Sequence, residues 1–184
     1  MKIAVYCSSC ANLASEYVTP AQVLGEWIGK NGHELVFGGV NAGLMHVVSQ
    51  ATHDSGGKVI GVIPTMFLHR ASSINDEVIK THDLNGRKST MIDISDLFVV
   101  LPGGIGTIDE WISTLSHVLC VNNDNRGIIV VNINHMYNEL IEQLETTAAS
   151  PFARRDDIDR RSTIVNNVDE LKDALLKFSK EYEK

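Results

Sequence analysis

The sequence concentrates residues fit for chemistry in three places. In LPGGIGTIDEWI, from Leu101 to Ile112, Gly103, Gly104 and Gly106 stand between an apolar run and a helical pattern. Glycine in a structured region costs conformational entropy, so such a cluster marks an unusual backbone angle or a close approach by something else. A helix start offers unpaired N–H groups and a partial positive charge, which suits a phosphate. Thr107 is placed both to cap that helix and to offer its hydroxyl. A second junction of this kind, VFGGVNAGLM (36–45), carries Gly38 and Gly39. Neither is a Walker motif, because no GK[ST] occurs, and GGVNAG is a loose relative of GxGxxG without its placement after the first strand. Each loop alone fits a plain strand-to-helix turn as well as a phosphate cradle. Two of them on one sheet favour the cradle.

The third place is charged. Arg87 and Lys88 are adjacent at a predicted helix start, where cations oppose the helix dipole. Such pairs usually face water, but this one also suits an anion clamp, with arginine as a planar bidentate donor. Asp109 and Glu110 fall in the first turn of the helix predicted to leave the 101–106 loop. Carboxylates there complement the dipole. One held about a helical turn from a phosphate loop can also accept a proton from water, or stabilise positive charge developing on a sugar.

These residues need a scaffold. Short β-branched apolar runs at 2–7, 34–39, 58–64, 96–102 and 127–133 read as strands, with weaker ones in EVIKTHDL and STIV. Amphipathic segments at 20–32, 43–57, 86–95, 106–120 and 136–149, and from Val168 onward, read as helices. In the first, Val23, Leu24, Trp27 and Ile28 share a face and Gly32 suits the stop; in the second, Leu44, Val47, Val48 and Ala51 point inward. This alternation predicts a Rossmann-like, doubly wound, mainly parallel sheet with helices on both faces, in a single domain spanning 1–184. Ligands of such sheets sit beyond the carboxyl ends of the strands, at a switch in strand order. The unusual residues cluster at those ends. The charged segment 153–161 reads as solvated loop.

Composition narrows the function classes. A chain of 184 residues, 43% hydrophobic, is long enough for a sizeable core. The net charge of -7 argues against general nucleic-acid binding, though not against one nucleotide in a local basic pocket. Cys7 and Cys10 form a lone CxxC with no second pair and no thioredoxin-like surroundings, so they and Cys120 read as reduced thiols. The seven histidines are scattered without ligand spacing, and no metal site is expected. The N-terminal apolar run is too short for a signal peptide, and no segment approaches the ~20 apolar residues of a membrane helix. A cytoplasmic protein without a membrane partner is the expectation. A dinucleotide-dependent oxidoreductase ranks last, because the first strand ends in CSSC and the second in glycines.

Arg87-Lys88 with Met91, followed by PGGIGT and Glu110, resemble the RKxxM…PGGxGTxxE signature of the LOG (lonely guy) family. AVYCSS, VFGGVNAGLM and GGKVIGVIP resemble further segments of that family, so the likeness covers most of the chain. The resemblance implies a phosphoribohydrolase that releases the base from a nucleoside 5′-monophosphate, including cytokinin riboside monophosphates. It implies Arg87 and Glu110 as the catalytic pair, and Gly103, Gly104, Gly106 and Thr107 as the holders of the 5′-phosphate. Lys88, Gly38, Gly39 and Met45 would line the nucleotide site. It further implies a homodimer with the helix after PGGIGT near the interface, and no metal or redox cofactor. An older label of the family is possible lysine decarboxylase, yet no lysine here sits in a recognisable pyridoxal-phosphate setting. Four departures leave the pair intact and bear on base preference: Ser8 and His46 each stand for a glycine, Val40 for the third glycine of its loop, and LNGRK for MHxRK. A non-catalytic nucleotide carrier or sensor is the alternative; it would keep both loops and have no need of Glu110.

Overall fold

The apolar runs become β1 (Lys2–Tyr6), β2 (Glu34–Phe37), β3 (Lys58–Pro64), β4 (Glu77–Thr81), β5 (Leu97–Val100), β6 (Ile128–Val131) and β7 (Ser162–Val165) in a computed structural model that describes residues 1–121, 124–151 and 161–182. The helices between them are α1 (Ser15–Lys30), α2 (Gly43–Asp54), α3 (Leu84–Ile94), α4 (Ile105–Cys120), α5 (Asn138–Ala148) and α6 (Val168–Tyr182). Residues 153–160 of the charged segment lie outside the described residues. The strands form one seven-stranded sheet in the order β4-β3-β2-β1-β5-β6-β7, and every pairing is parallel.

Successive strand residues point to opposite faces, so each central strand feeds two cores. Leu97 and Val99 of β5 join Leu24, Leu44 and Leu175 beneath α1, α2 and α6. Phe98 and Val100 join Met91, Trp111 and Leu115 beneath α3, α4 and α5. With both faces covered, a strand such as β5 is buried throughout, which is why it reads as an unbroken apolar run. The sheet is thus Rossmann-like and doubly wound, as the sequence predicts.

The winding places the site. From β1 the chain steps outward through β2, β3 and β4, then returns to the other side of β1 as β5. β1 and β5 are paired with Tyr6 opposite Val100, so the segments after them leave the sheet side by side at the switch in strand order.

The first helix differs from the sequence reading in its start and in the face it buries. α1 starts at Ser15 rather than Pro20, and Pro20 is buried inside the helix. Proline normally marks a helix start because it lacks an N–H. Here the preceding turn forms regardless, with the Thr19 hydroxyl donating to the Ser15 carbonyl at 2.9 Å. The face α1 turns inward also differs, since Val23 and Trp27 are only partly buried while Gly25 and Gly29 are buried. A Cβ on Gly25 would come within 2.4 Å of the Val48 carbonyl oxygen, and one on Gly29 within 2.6 Å of the Ser55 Cβ. These glycines let α1 and α2 touch backbone to backbone, a close approach that hydrophobic periodicity does not reveal.

Candidate active site

The 101–106 segment is built so that its carbonyls face protein. Leu101 O and Gly103 O accept the Tyr137 hydroxyl at 3.0 and 3.4 Å. Pro102 O accepts Ser8 N–H at 3.1 Å, and Gly104 O accepts Thr107 and Ile108 N–H at 3.0 and 3.1 Å. Gly104 is the N-cap of α4, with no side-chain cap. The N–H groups that open the helix precede any intrahelical acceptor, and Gly104 and Gly106 have open space where a Cβ would stand. Gly103 does not: a Cβ there would lie 2.1 Å from Thr107 Oγ1. Thr107 therefore buries its side chain over Gly103 in the first turn, and does not cap the helix as its position in the sequence suggested.

The segment after β1 forms the facing wall. Leu44 N–H at the start of α2 donates to Ser8 O at 2.9 Å. Gly43 has a φ of +52°, and a Cβ there would meet Cys10 O at 2.5 Å and Ser8 O at 2.7 Å. Glycine is required at this position by both its backbone angle and its neighbours. Its effect is to press residues 8–10 against the mouth of the 101–106 loop.

The charged residues complete the floor. Arg87 on α3 donates from Nη2 to Glu110 Oε1 on α4 at 2.5 Å, and both side chains are largely buried. Outside this pair, Lys88 Nζ meets Asp109 at 2.7 Å, with Asp109 exposed. The two helices are thus joined by two ion pairs, one toward the cavity and one toward solvent. Neither carboxylate lies in the first turn of α4, since the helix begins at Ile105. Dipole complementation therefore does not explain them. Glu110 instead faces inward, and burial pushes its carboxyl up to about 7 despite the guanidinium beside it. Arg87 Nε is buried without a hydrogen-bond partner, a spare donor at the same place. Asp83 caps α3 by accepting Gly86 N–H at 2.8 Å, which puts Arg87 one turn into the helix.

These walls enclose an open cavity of about 240 Å³. Gly104, Gly106 and Thr107 border one side, residues 7–10 and Met45 another, and Arg87 and Glu110 the floor. An apolar recess of about 160 Å³ lies beyond Ser8 and Cys10, walled by Leu13, Tyr17, Pro102 and Met136. Wider recesses of about 380 and 430 Å³ lie around Met1 and between α1 and α2, but neither is bordered by the glycine loops.

Of the residues singled out in the sequence, the structure gathers Arg87, Glu110, Met45, Gly104, Gly106 and Thr107 around one cavity. Gly103 lies just behind, on the recess side. Gly38 sits next to them, 3.6 Å in its Cβ direction from Arg87 Nη1, whereas Gly39 turns toward Ile63 with a φ of +70°. Lys88 is turned away onto Asp109. Cys7 is buried and its thiol is pushed up by that burial and by Glu110, while Cys10 and Cys120 are exposed and all three are free. A depressed pKa marks a reactive thiol, and Cys7 has the reverse. Among the described residues no group of three or more His, Cys, Asp and Glu could hold a metal ion, and no helix is long and apolar enough to cross a membrane.

Two contributors were not read from the sequence. Tyr6 hydrogen-bonds to Thr114, one turn beyond Glu110 on α4, at 2.8 Å in the buried layer beneath the carboxylate. Tyr137, after β6, reaches the glycine loop. Both are tyrosines in apolar surroundings, and nothing in their spacing separates them from ordinary core.

Fold and site together define a doubly wound α/β protein in which a helix start without a side-chain cap lies beside a buried carboxyl paired with an arginine. The family described as "Possible lysine decarboxylase" matches residues 45–175. Over 155 residues the chain is 32% identical to the cytokinin riboside 5′-monophosphate phosphoribohydrolase of Rhodococcoides fascians, covering 82% of this chain and 77% of that one. It is 33% identical over 153 residues to the Arabidopsis thaliana enzyme LOG3 of the same activity, covering 82% and 71%. The molybdenum cofactor binding protein of Rippkaea orientalis shares the fold, with a TM-score of 0.72, 22% identity, and coverage of 96% and 95%. The chain belongs to the LOG family, the family that carries the lysine decarboxylase label.

Proposed function

We propose that this protein hydrolyses the N-glycosidic bond of a nucleoside 5′-monophosphate, giving free base and ribose 5-phosphate. The observation that carries the reading is the Arg87–Glu110 pair at the floor of a cavity whose rim is the uncapped start of α4. A 5′-phosphate on Gly104, Gly106 and the first N–H groups of α4 leaves the ribose over Glu110. Water bonds C1′ as the C1′–N bond breaks. Glu110 takes the proton from that water and returns it to the departing base nitrogen, and its negative charge stabilises the oxocarbenium-like transition state. Arg87 holds Glu110 in position and orients the substrate. The cytokinin riboside monophosphates on which the named relatives act belong to the substrate panel, together with AMP.

The test is ribose 5-phosphate release from that panel by the wild type, Glu110→Gln and Arg87→Ala. Cleavage by the wild type alone supports the reading. Binding of a monophosphate without cleavage by any of the three sinks it in favour of a carrier. The same reading includes a homodimer with α4 near its interface. Trp111, Leu115 and Val118 serve the core, leaving exposed Ile105 and part-exposed Ile112 for a partner. Light scattering decides this, a monomer at assay concentration counting against it.

A further inference from the structure

We infer that Tyr137 is a positioning residue for the phosphate cradle, holding the 101–104 backbone in the one orientation that turns its donors toward the cavity. The inference rests on the reading above only in naming phosphate as the ligand.

The geometry starts from the peptide plane. In a trans peptide the carbonyl and the following N–H point in opposite directions. Tyr137 shares its one hydroxyl proton between Leu101 O at 3.0 Å and, more weakly, Gly103 O at 3.4 Å; with Gly103 O on the core side, Gly104 N–H is turned the other way, and Gly104 borders the cavity. The same hydroxyl takes Leu101 O, and the residue after that carbonyl is Pro102, which has no N–H to misdirect. One hydroxyl proton thus sets the face of the loop. The ring packs edge-on against Trp111, centroids 5.5 Å apart, and Trp111 follows Glu110 on α4. Tyr137 therefore touches both the cradle and the helix that carries the carboxylate.

The chain spends backbone strain to put Tyr137 there. Between β6 and α5, Asn134 and His135 have φ values of +53° and +58°, a left-handed pair without glycine. Asn132 holds the turn: its N–H donates to Val165 O at 2.7 Å, its Oδ1 accepts Tyr137 N–H at 2.9 Å, and its Nδ2 donates to Asn138 Oδ1 at 2.8 Å. This turn reverses the chain after β6 and returns the phenol to the β5 loop. Burial holds the phenol far above its ordinary titration range, so it stays a donor at every working pH.

The experiment is Tyr137→Phe, which removes the hydroxyl and keeps the ring. Affinities for AMP, inorganic phosphate and adenosine are measured by calorimetry, with folding checked by circular dichroism. Loss of one hydrogen bond to a buried carbonyl, with its N–H no longer held, weakens AMP and phosphate by about tenfold. Adenosine, lacking the phosphate, is unaffected. In turnover, KM rises while kcat changes by less than about threefold. Asn138→Ala, an exposed substitution that loosens the same turn, shifts AMP in the same direction by a smaller factor if the phenylalanine variant does not fold. Equal affinity for AMP in the variant and the wild type overturns the inference, as does equal weakening of AMP and adenosine. Binding needs no turnover, so failure of the hydrolase reading leaves this test standing.

Discussion

At Glu110, burial and Arg87 pull in opposite directions, and burial prevails: the carboxyl holds its proton up to about pH 7. Unfolded, the same group ionises in the ordinary carboxylate range near 4. Between those limits the folded chain binds more protons than the unfolded one, so stability falls as pH rises through that window and levels off above it. Glu110→Gln removes the ionisation and keeps the shape. The variant is expected to melt a few degrees above the wild type at pH 8, with the difference vanishing toward pH 4, while hydrolysis falls by about 10²–10⁴-fold. Differential scanning fluorimetry across pH and ribose 5-phosphate release check the two halves. Wild-type kcat/KM should also drop below pH 7 as the base is protonated, and a flat profile there would remove Glu110 from the proton-transfer role. A carboxylate kept at the expense of stability is what a working group looks like, rather than one retained for the fold.

At the scale of elements, the start of α4 separates glycines that the sequence shows as equals. Gly103 is filled from inside by Thr107, while Gly104 and Gly106 face open space. Gly103→Ala must displace a buried threonine and is expected to destabilise the fold by about 1–3 kcal/mol. Gly106→Ala meets no atom and removes a glycine from a helix, so the fold should gain by up to about 1 kcal/mol. Its methyl nevertheless stands where a phosphate would approach, and AMP affinity should fall sharply. Melting curves with and without AMP check both outcomes, and a Gly106→Ala protein that binds AMP normally would move the cradle elsewhere. Strand and helix types were legible here because a parallel sheet covered on both faces leaves unbroken apolar runs. Boundaries were less so, as Pro20 shows, because tertiary contacts carry a helix through a residue that local rules treat as its start. The backbone contact of α1 with α2 at Gly25 and Gly29 was not legible at all, since glycine adds nothing to hydrophobic periodicity.

At the scale of the whole molecule, the switch in strand order brings three distant stretches to one place. Residues 7–10, Arg87 and the 104–110 segment meet because β1 and β5 are neighbours while α3 leads into β5. That convergence was foreseeable from the alternation of elements, and so was the meeting of Arg87 and Glu110 with Gly104 and Gly106 of the 101–106 loop at one cavity. The contact of Tyr137 with the loop was not, because it depends on a strained turn after another strand, β6. The net charge of -7 gives an anion no general attraction, so the proposed function requires its affinity to come from the local donors of α4 and Arg87. Binding and chemistry are then separable by linkage. A ligand at about 100 times its Kd stabilises the folded state by about 2.7 kcal/mol, which for a chain of this size raises Tm by roughly 5–10 °C. AMP should produce that shift in the wild type and in Glu110→Gln, and little of it in Gly106→Ala. If Glu110→Gln loses the shift as well, the carboxylate contributes to ground-state binding and its loss of activity cannot be assigned to the chemical step alone.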